Sequence, residues 1–237
     1  MNRPQDSQLP TKSTSGDTTR KTPGEKATAK SKNYYLIAYN FVSAGLWAVV
    51  LGRTVLLATT RGYAVVYPEL FEYVKYVQTL AVLEILHAAA GIVRTPLITT
   101  AMQVASRLLL VWGIGQFFQS TTMTSPAFST MLLAWSATEV VRYTYFALII
   151  SLDGGVPAFL TWLRYNLFFV LYPLGISSEC WLVYRSIEPA RLRQPGLEYA
   201  LITVLLIYVP GSYVLFTHMM AQRRKTMRSL KGSKKSQ

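Results

Sequence analysis

Two side chains suited to moving protons, Tyr172 and Glu179, stand seven residues apart inside one apolar run. The stretch holding them, RYNLFFVLYPLGISSE over residues 164–179, also carries an arginine, an asparagine, a second tyrosine and two serines. Seven helical residues make about two turns, so both side chains leave nearly the same face, roughly 10 Å apart along the axis. Ionisable groups at bilayer depth cost about 2.5–3.5 kcal/mol each on insertion scales, and by default they mark functional positions. A phenol and a carboxylate facing one cavity form an acid–base pair. In a purely structural role the same two groups would tie helices together.

The elements that must position this pair are membrane helices. Between about Tyr34 and Gln222 the apolar residues fall in runs of roughly 18–25, the length a bilayer core demands. The fold class expected is all-α: a polytopic membrane protein, a six-transmembrane-helix bundle. Its spans are expected near 34–58, 73–93, 97–118, 128–151, 160–184 and 197–220. Residues 1–33 read as a disordered basic arm, rich in Ser, Thr, Lys, Pro and Gly and without a signal peptide's apolar core. Residues 34–222 form the membrane domain, and residues 223–237 a basic tail.

Each span brings polar groups of its own. In the first, Asn40, Ser43 and Trp47 share a face, and Gly45 and Gly52 are small enough for close helix contact. The following segment, 59–74, reads as a loop whose tyrosines suit the interface. The second span holds Glu84 and His87 on one face. The other histidine, His218, is at the far end of the last span, so no metal site is expected and Glu84 is expected to be neutral or paired with a membrane arginine. The third span carries the stripe Thr99, Gln103, Ser106 and Arg107, which must face protein or a water-filled cavity. The fourth carries Trp135, Ser136, Glu139, Arg142 and Tyr143, with Glu139 and Arg142 three residues apart and able to pair. A loop is expected at 185–196 and a kink at Pro210-Gly211 in the last span.

Composition excludes several classes. The net charge of +13 would suit nucleic acid, but residues 1–33 and 223–237 hold seven Lys/Arg each, the pattern of cytosolic tails beside anionic lipid. No nucleic-acid partner is expected. The one cysteine, Cys180, allows no disulfide framework. A thiol phosphatase loop is also excluded, because Arg185 follows Cys180 after four residues with no glycine between them. Six spans place both basic termini on one side, which positive-inside makes the cytosol. Lys234 and Lys235 stand fourth and third from the end, the pattern of an endoplasmic reticulum retrieval signal.

Read together, these segments resemble the very-long-chain 3-hydroxyacyl-CoA dehydratases, the protein-tyrosine-phosphatase-like A family. The resemblance runs through Tyr39-Asn40, Ser43-Ala44, Leu83-Glu84, Val93-Arg94, Gln103, Ser106-Arg107, Trp135-Ser136, Thr138-Glu139, Arg142-Tyr143, Leu163-Arg164-Tyr165-Asn166, and Tyr172-Pro173, Gly175 and Glu179. It implies a six-helix endoplasmic reticulum membrane enzyme of fatty acid elongation, with cytosolic termini. It also implies catalysis by Tyr172 and Glu179, no cofactor, a 3-hydroxyacyl-CoA substrate, contact with membrane lipids and partnership with other elongase enzymes. A non-enzymatic membrane scaffold or lipid-binding homologue of the same fold is the alternative.

Dehydration of a 3-hydroxyacyl thioester needs a base for the C2 proton and an acid for the departing C3 hydroxyl, each contributing about 10²–10⁴-fold when well placed. Glu179 is expected to act as the base and Tyr172 as the acid, with exchanged roles or a single shuttling residue left open. Arg94, Arg107, Arg142 and Arg164 are candidates for CoA phosphate contacts, because the guanidinium fork suits phosphate. For each of them, pairing with Glu84, Glu139 or lipid phosphate is the alternative. Tyr165 and Asn166, beside Arg164, complete the candidate substrate-binding set.

Overall fold

The computed structural model describes residues 23–153 and 155–233. The N-terminal part of the expected arm, 1–22, and the dilysine pair Lys234 and Lys235 lie outside the described residues. Every regular element among the described residues is helical. In chain order these are α1 (Pro23–Thr60), a short 3₁₀ turn (Tyr63–Val65), α2 (Val66–Thr79), α3 (Val82–Ala89), α4 (Leu97–Leu108), a π-helical segment (Leu109–Gly115), α5 (Gln119–Met123), α6 (Pro126–Ser151), α7 (Ala158–Asn166), α8 (Phe168–Arg193) and α9 (Leu197–Ser233).

Four helical stretches are long and apolar enough to cross a membrane: Asn33–Thr60, Leu97–Gly115, Ala158–Arg193 and Leu197–Arg228. Their outward faces carry Phe41, Val42, Leu56, Met102, Val170, Leu206 and Val209, all exposed. Such side chains are unfavourable against water and suited to hydrocarbon. The six spans expected are thus four by this measure. The segments 66–89 and 126–151 are helical, but α6 carries Glu139 and Arg142, and the former is divided at Leu80-Ala81 into α2 and α3.

Helices outrun the apolar stretches at several places. The expected loop 59–74 is helical from Val66, and the expected loop 185–196 is helical to Arg193, with Pro189 inside α8. Helical backbone satisfies its own N–H and C=O groups, so nothing forces it to stop where the apolar side chains do. The chain turns between α8 and α9 at Gly196, whose φ of +95° favours a residue without a Cβ. α9 continues through Pro210-Gly211 as one helix.

The core lies where α1, α2 and α6 meet, centred on Trp47, Val50, Leu70, Phe71, Val74, Phe128, Met131 and Leu132. Asn40, Ser43 and Trp47 are buried in it, so that face of α1 is a packing face. Gly45 and Gly52 have open space around them, so the close contact expected there is absent. Tyr67, expected at the interface, is buried and donates its hydroxyl to the Gly115 carbonyl at 2.8 Å. The α4 stripe is only partly inward: Thr99 and Gln103 are exposed, and Arg107 reaches into the bundle.

At Gly115 the π-helical segment lies against the Phe71 ring of α2 with no room for a side chain. A Cβ there would lie 2.4 Å from Phe71 Cε2 and 3.3 Å from the Leu110 carbonyl. Overpacking of this kind costs about 1–3 kcal/mol. Gly115→Ala is therefore expected to lower the melting temperature of the detergent-solubilised protein, read by thermal denaturation, with Gly45→Ala as a control that is not lowered.

Candidate active site

Four charged side chains from three helices interlock inside the bundle. Arg142 of α6 meets Glu84 of α3 as a fork, Nη1 to Oε2 at 2.9 Å and Nη2 to Oε1 at 2.6 Å. Its Nε donates to Glu139 Oε2 at 2.6 Å, one turn back on α6. Arg107 of α4 donates to the other oxygen of Glu139, and the Tyr143 hydroxyl donates to Glu84. Glu84 thus pairs with an arginine, one of the two outcomes expected for it, and the pairing of Glu139 with Arg142 is present. Two carboxylates and two guanidinium groups neutralise one another, the condition under which charges persist inside a protein. His87 is occupied elsewhere: its Nε2 lies 2.8 Å from the Tyr35 hydroxyl, and Tyr39 packs edge-on against its ring.

One turn before Glu139, α6 presents Trp135, whose ring lies under the Arg107 guanidinium at 5.2 Å. The indole N–H donates to Glu179 Oε1 at 2.8 Å. Tyr208 of α9 donates its hydroxyl to Glu179 Oε2 at 3.0 Å. Glu179 is 7% exposed, so this carboxyl is anchored at both oxygens and closed off from bulk solvent. Gly175, one turn earlier on α8, is buried beside this carboxyl, and a Cβ there would make ordinary contacts, 3.6 Å from Ala134 Cβ and 3.8 Å from Glu179 Oε1.

Tyr172 turns its hydroxyl toward α9 and donates to the Ser212 carbonyl at 2.9 Å. Its ring lies 6.0 Å from that of Phe216. Tyr172 and Glu179 are therefore both turned to α9 from one face of α8, as their spacing requires, but each is bonded to α9 and not to the other. Their partners Tyr208 and Ser212 are four residues apart, one turn of α9.

Arg164, Tyr165 and Asn166 lie on α7, just before the start of α8. Arg164 lies over the rings of Phe146 at 4.5 Å and Tyr145 at 4.9 Å, with Tyr165 at 5.8 Å. Its Nε is buried and has no hydrogen-bond partner, and it makes no ion pair among the described residues. Asn166 accepts from Arg223 Nε at 2.9 Å, and that guanidinium sits 5.2 Å over the Phe169 ring. Arg94 is exposed. Arg107 and Arg142 are the two held by carboxylates. Sequence reasoning did not single out Tyr208, Ser212 or Arg223; the one available signal was a polar-tipped aromatic at 208 inside an apolar run.

A family model described as protein tyrosine phosphatase-like protein, PTPLA, matches residues 78–229. The chain belongs to this family. The match spans all of the residues just described from Glu84 to Arg223. Among PTPLA relatives, a probable very-long-chain (3R)-3-hydroxyacyl-CoA dehydratase of Schizosaccharomyces pombe is 46% identical over 196 residues, covering 82% of this chain and 93% of the relative. A very-long-chain (3R)-3-hydroxyacyl-CoA dehydratase of Caenorhabditis elegans is 40% identical, covering 86% and 98%. The human very-long-chain (3R)-3-hydroxyacyl-CoA dehydratase 2 is 34% identical, covering 85% and 84%. No solved structure matches the chain.

Removing one member of a buried ion network leaves an uncompensated charge, at a cost of about 3–5 kcal/mol. Glu139→Gln strands Arg107, whereas Arg142 keeps Glu84. Glu139→Gln is expected to lower the melting temperature sharply, and Arg107→Met added to it should recover part of the loss.

Proposed function

We infer that this protein dehydrates (3R)-3-hydroxyacyl-CoA to trans-2-enoyl-CoA, the activity class of its family relatives. The observation that carries the catalytic assignment is Glu179: a buried carboxyl held by Trp135 and Tyr208, with the Tyr172 phenol on the same face of α8. Glu179 takes the C2 proton of the thioester. The electron pair released forms the C2=C3 bond as the C3–O bond breaks. Tyr172 protonates the departing hydroxyl, which leaves as water. Transfer of the proton from Glu179 to the Tyr172 phenolate, through that water, returns both groups to their starting state. A dry, fixed carboxyl suits this chemistry because it needs no rearrangement of solvent when charge moves.

Of the cations considered for CoA phosphates, Arg164 is the one whose setting fits best, since its charge has no carboxylate beside it. Arg94 stays in the set as an exposed cation. Arg107 and Arg142 are committed to Glu139 and Glu84, and we assign them to holding the bundle. Arg223, anchored on Asn166, extends the cationic mouth onto α9. Tyr165 lines it against Arg164. Arg164 precedes Tyr172 by eight residues, about 12 Å of helix, so a pantetheine arm would reach from these cations to the reacting level.

With α2–α3 and α6 counted as crossing beside the four apolar stretches, the chain spans the bilayer six times. The basic ends then share the cytosolic side, in the endoplasmic reticulum membrane, next to other elongation enzymes. The charge of the tails supports this placement.

Purified protein is expected to convert a long-chain 3-hydroxyacyl-CoA to the trans-2-enoyl product, followed by mass spectrometry. Glu179→Gln and Tyr172→Phe should each lower kcat by about 10²–10⁴-fold. Near-normal turnover in either would overturn the assignment. Arg164→Gln should raise KM by roughly tenfold, the equivalent of one lost charge-assisted contact of about 1.5 kcal/mol.

A further inference from the structure

The two donors on Glu179 are chemically unlike, and that difference distinguishes its two oxygens. An indole N–H donates and cannot accept. The Trp135 contact at 2.8 Å therefore holds Oε1 as an acceptor whether Glu179 is charged or neutral. A phenol both donates and accepts. The Tyr208 hydroxyl, 3.0 Å from Oε2, can turn from donor to acceptor when a proton arrives on that oxygen. Arg107 is near this carboxyl but is taken by Glu139 and stacked on Trp135.

Resting on the dehydratase reading, we propose that Tyr208 is a positioning residue for Glu179, and that Oε2 is the oxygen that receives the C2 proton. In the charged state Tyr208 donates to Oε2 and holds the carboxyl plane against α9. As the C2–H bond breaks, the proton moves to Oε2, the electron pair stays with the substrate to form the double bond, and the Tyr208 hydroxyl rotates to accept from the new O–H. No atom of Tyr208 is consumed. Oε1 meanwhile stays fixed on Trp135, so the carboxyl changes protonation without changing orientation.

The placement of α9 fits this role. Among the described residues its exposed apolar side chains include Leu206, Ile207, Val209, Tyr213 and Val214, while Tyr208 turns inward to Glu179. Ser212, one turn on, takes the Tyr172 hydroxyl on its backbone carbonyl. One short piece of α9 therefore holds both groups that α8 supplies, and Tyr208 is the member of that piece acting through a side chain.

The test is a double-mutant cycle with 3-hydroxyacyl-CoA as substrate. Tyr208→Phe keeps the ring and removes the hydroxyl. It is expected to lower kcat roughly tenfold to a hundredfold with KM within twofold, and to have no further effect in a Glu179→Gln background. Incorporation of 3-fluorotyrosine at 208, which keeps the shape and makes the phenol more acidic, is expected to change kcat and its pH profile while leaving the melting temperature in place. A Tyr208→Phe protein with wild-type kcat overturns the proposal, as does an equal loss in both backgrounds, or a 3-fluorotyrosine protein indistinguishable from wild type. Failure of the wild-type protein to dehydrate the substrate at all would instead overturn the activity assignment, so the two failures are distinguishable.

Discussion

Burying charge where water is scarce is the constraint on which the rest of this bundle depends. Glu84, Arg142, Glu139 and Arg107 form one alternating chain of acid and base across α3, α6 and α4. None of the four is stable inside the bundle alone. Because each guanidinium must meet a carboxylate within hydrogen-bonding reach, the three helices have little freedom to slide or rotate against one another. Such networks are weak contributors to net stability but strict about geometry. Here the geometry is what the site uses.

α6 carries that strictness to the proposed reacting groups. Glu139 and Trp135 are one turn apart on the same helix, so the register set by the ion network also sets the height of the indole that holds Glu179. The Arg107 guanidinium lies over that same indole, adding a second tie between network and site. α8 then presents Tyr172 and Glu179 from one face, and α9 receives both. The site is thus built as a sequence of dependencies, from ion pairs to indole to carboxyl to phenol, with each partner placed by the one before it. A carboxyl fixed in this way can serve as an acid or base without the solvent rearrangement that a flexible one requires.

What could be read from the chain was what one helix determines by its own period. The seven-residue spacing of Tyr172 and Glu179 put both on one face, and they do share one. The three-residue spacing of Glu139 and Arg142 allowed an ion pair, and it forms. Apolar run lengths located the helical segments, although α2 starts earlier and α8 ends later than those runs, because helical hydrogen bonds continue to satisfy the backbone outside the apolar stretch. Asn40, Ser43 and Trp47 were rightly placed on one face, but periodicity by itself does not say what that face meets, and in the structure it packs on the core.

The tertiary structure alone decided which residues meet across helices. Arg142 could have faced phosphate or carboxylate; the position of α3 gives it Glu84. Gly45 and Gly52 looked like contact points, yet among the described residues a Cβ on either would meet nothing within 4 Å. Tyr208 and Arg223 sit in a segment that reads as apolar span and basic tail, and only the packing of α9 on α7 and α8 brings them to Glu179 and Asn166. The physical reason is the same in each case. Spacing within a helix is set by a local, fixed geometry that the sequence displays directly. Contacts between helices depend on relative depth, rotation and crossing angle, which arise from the summed packing of residues far apart in the chain.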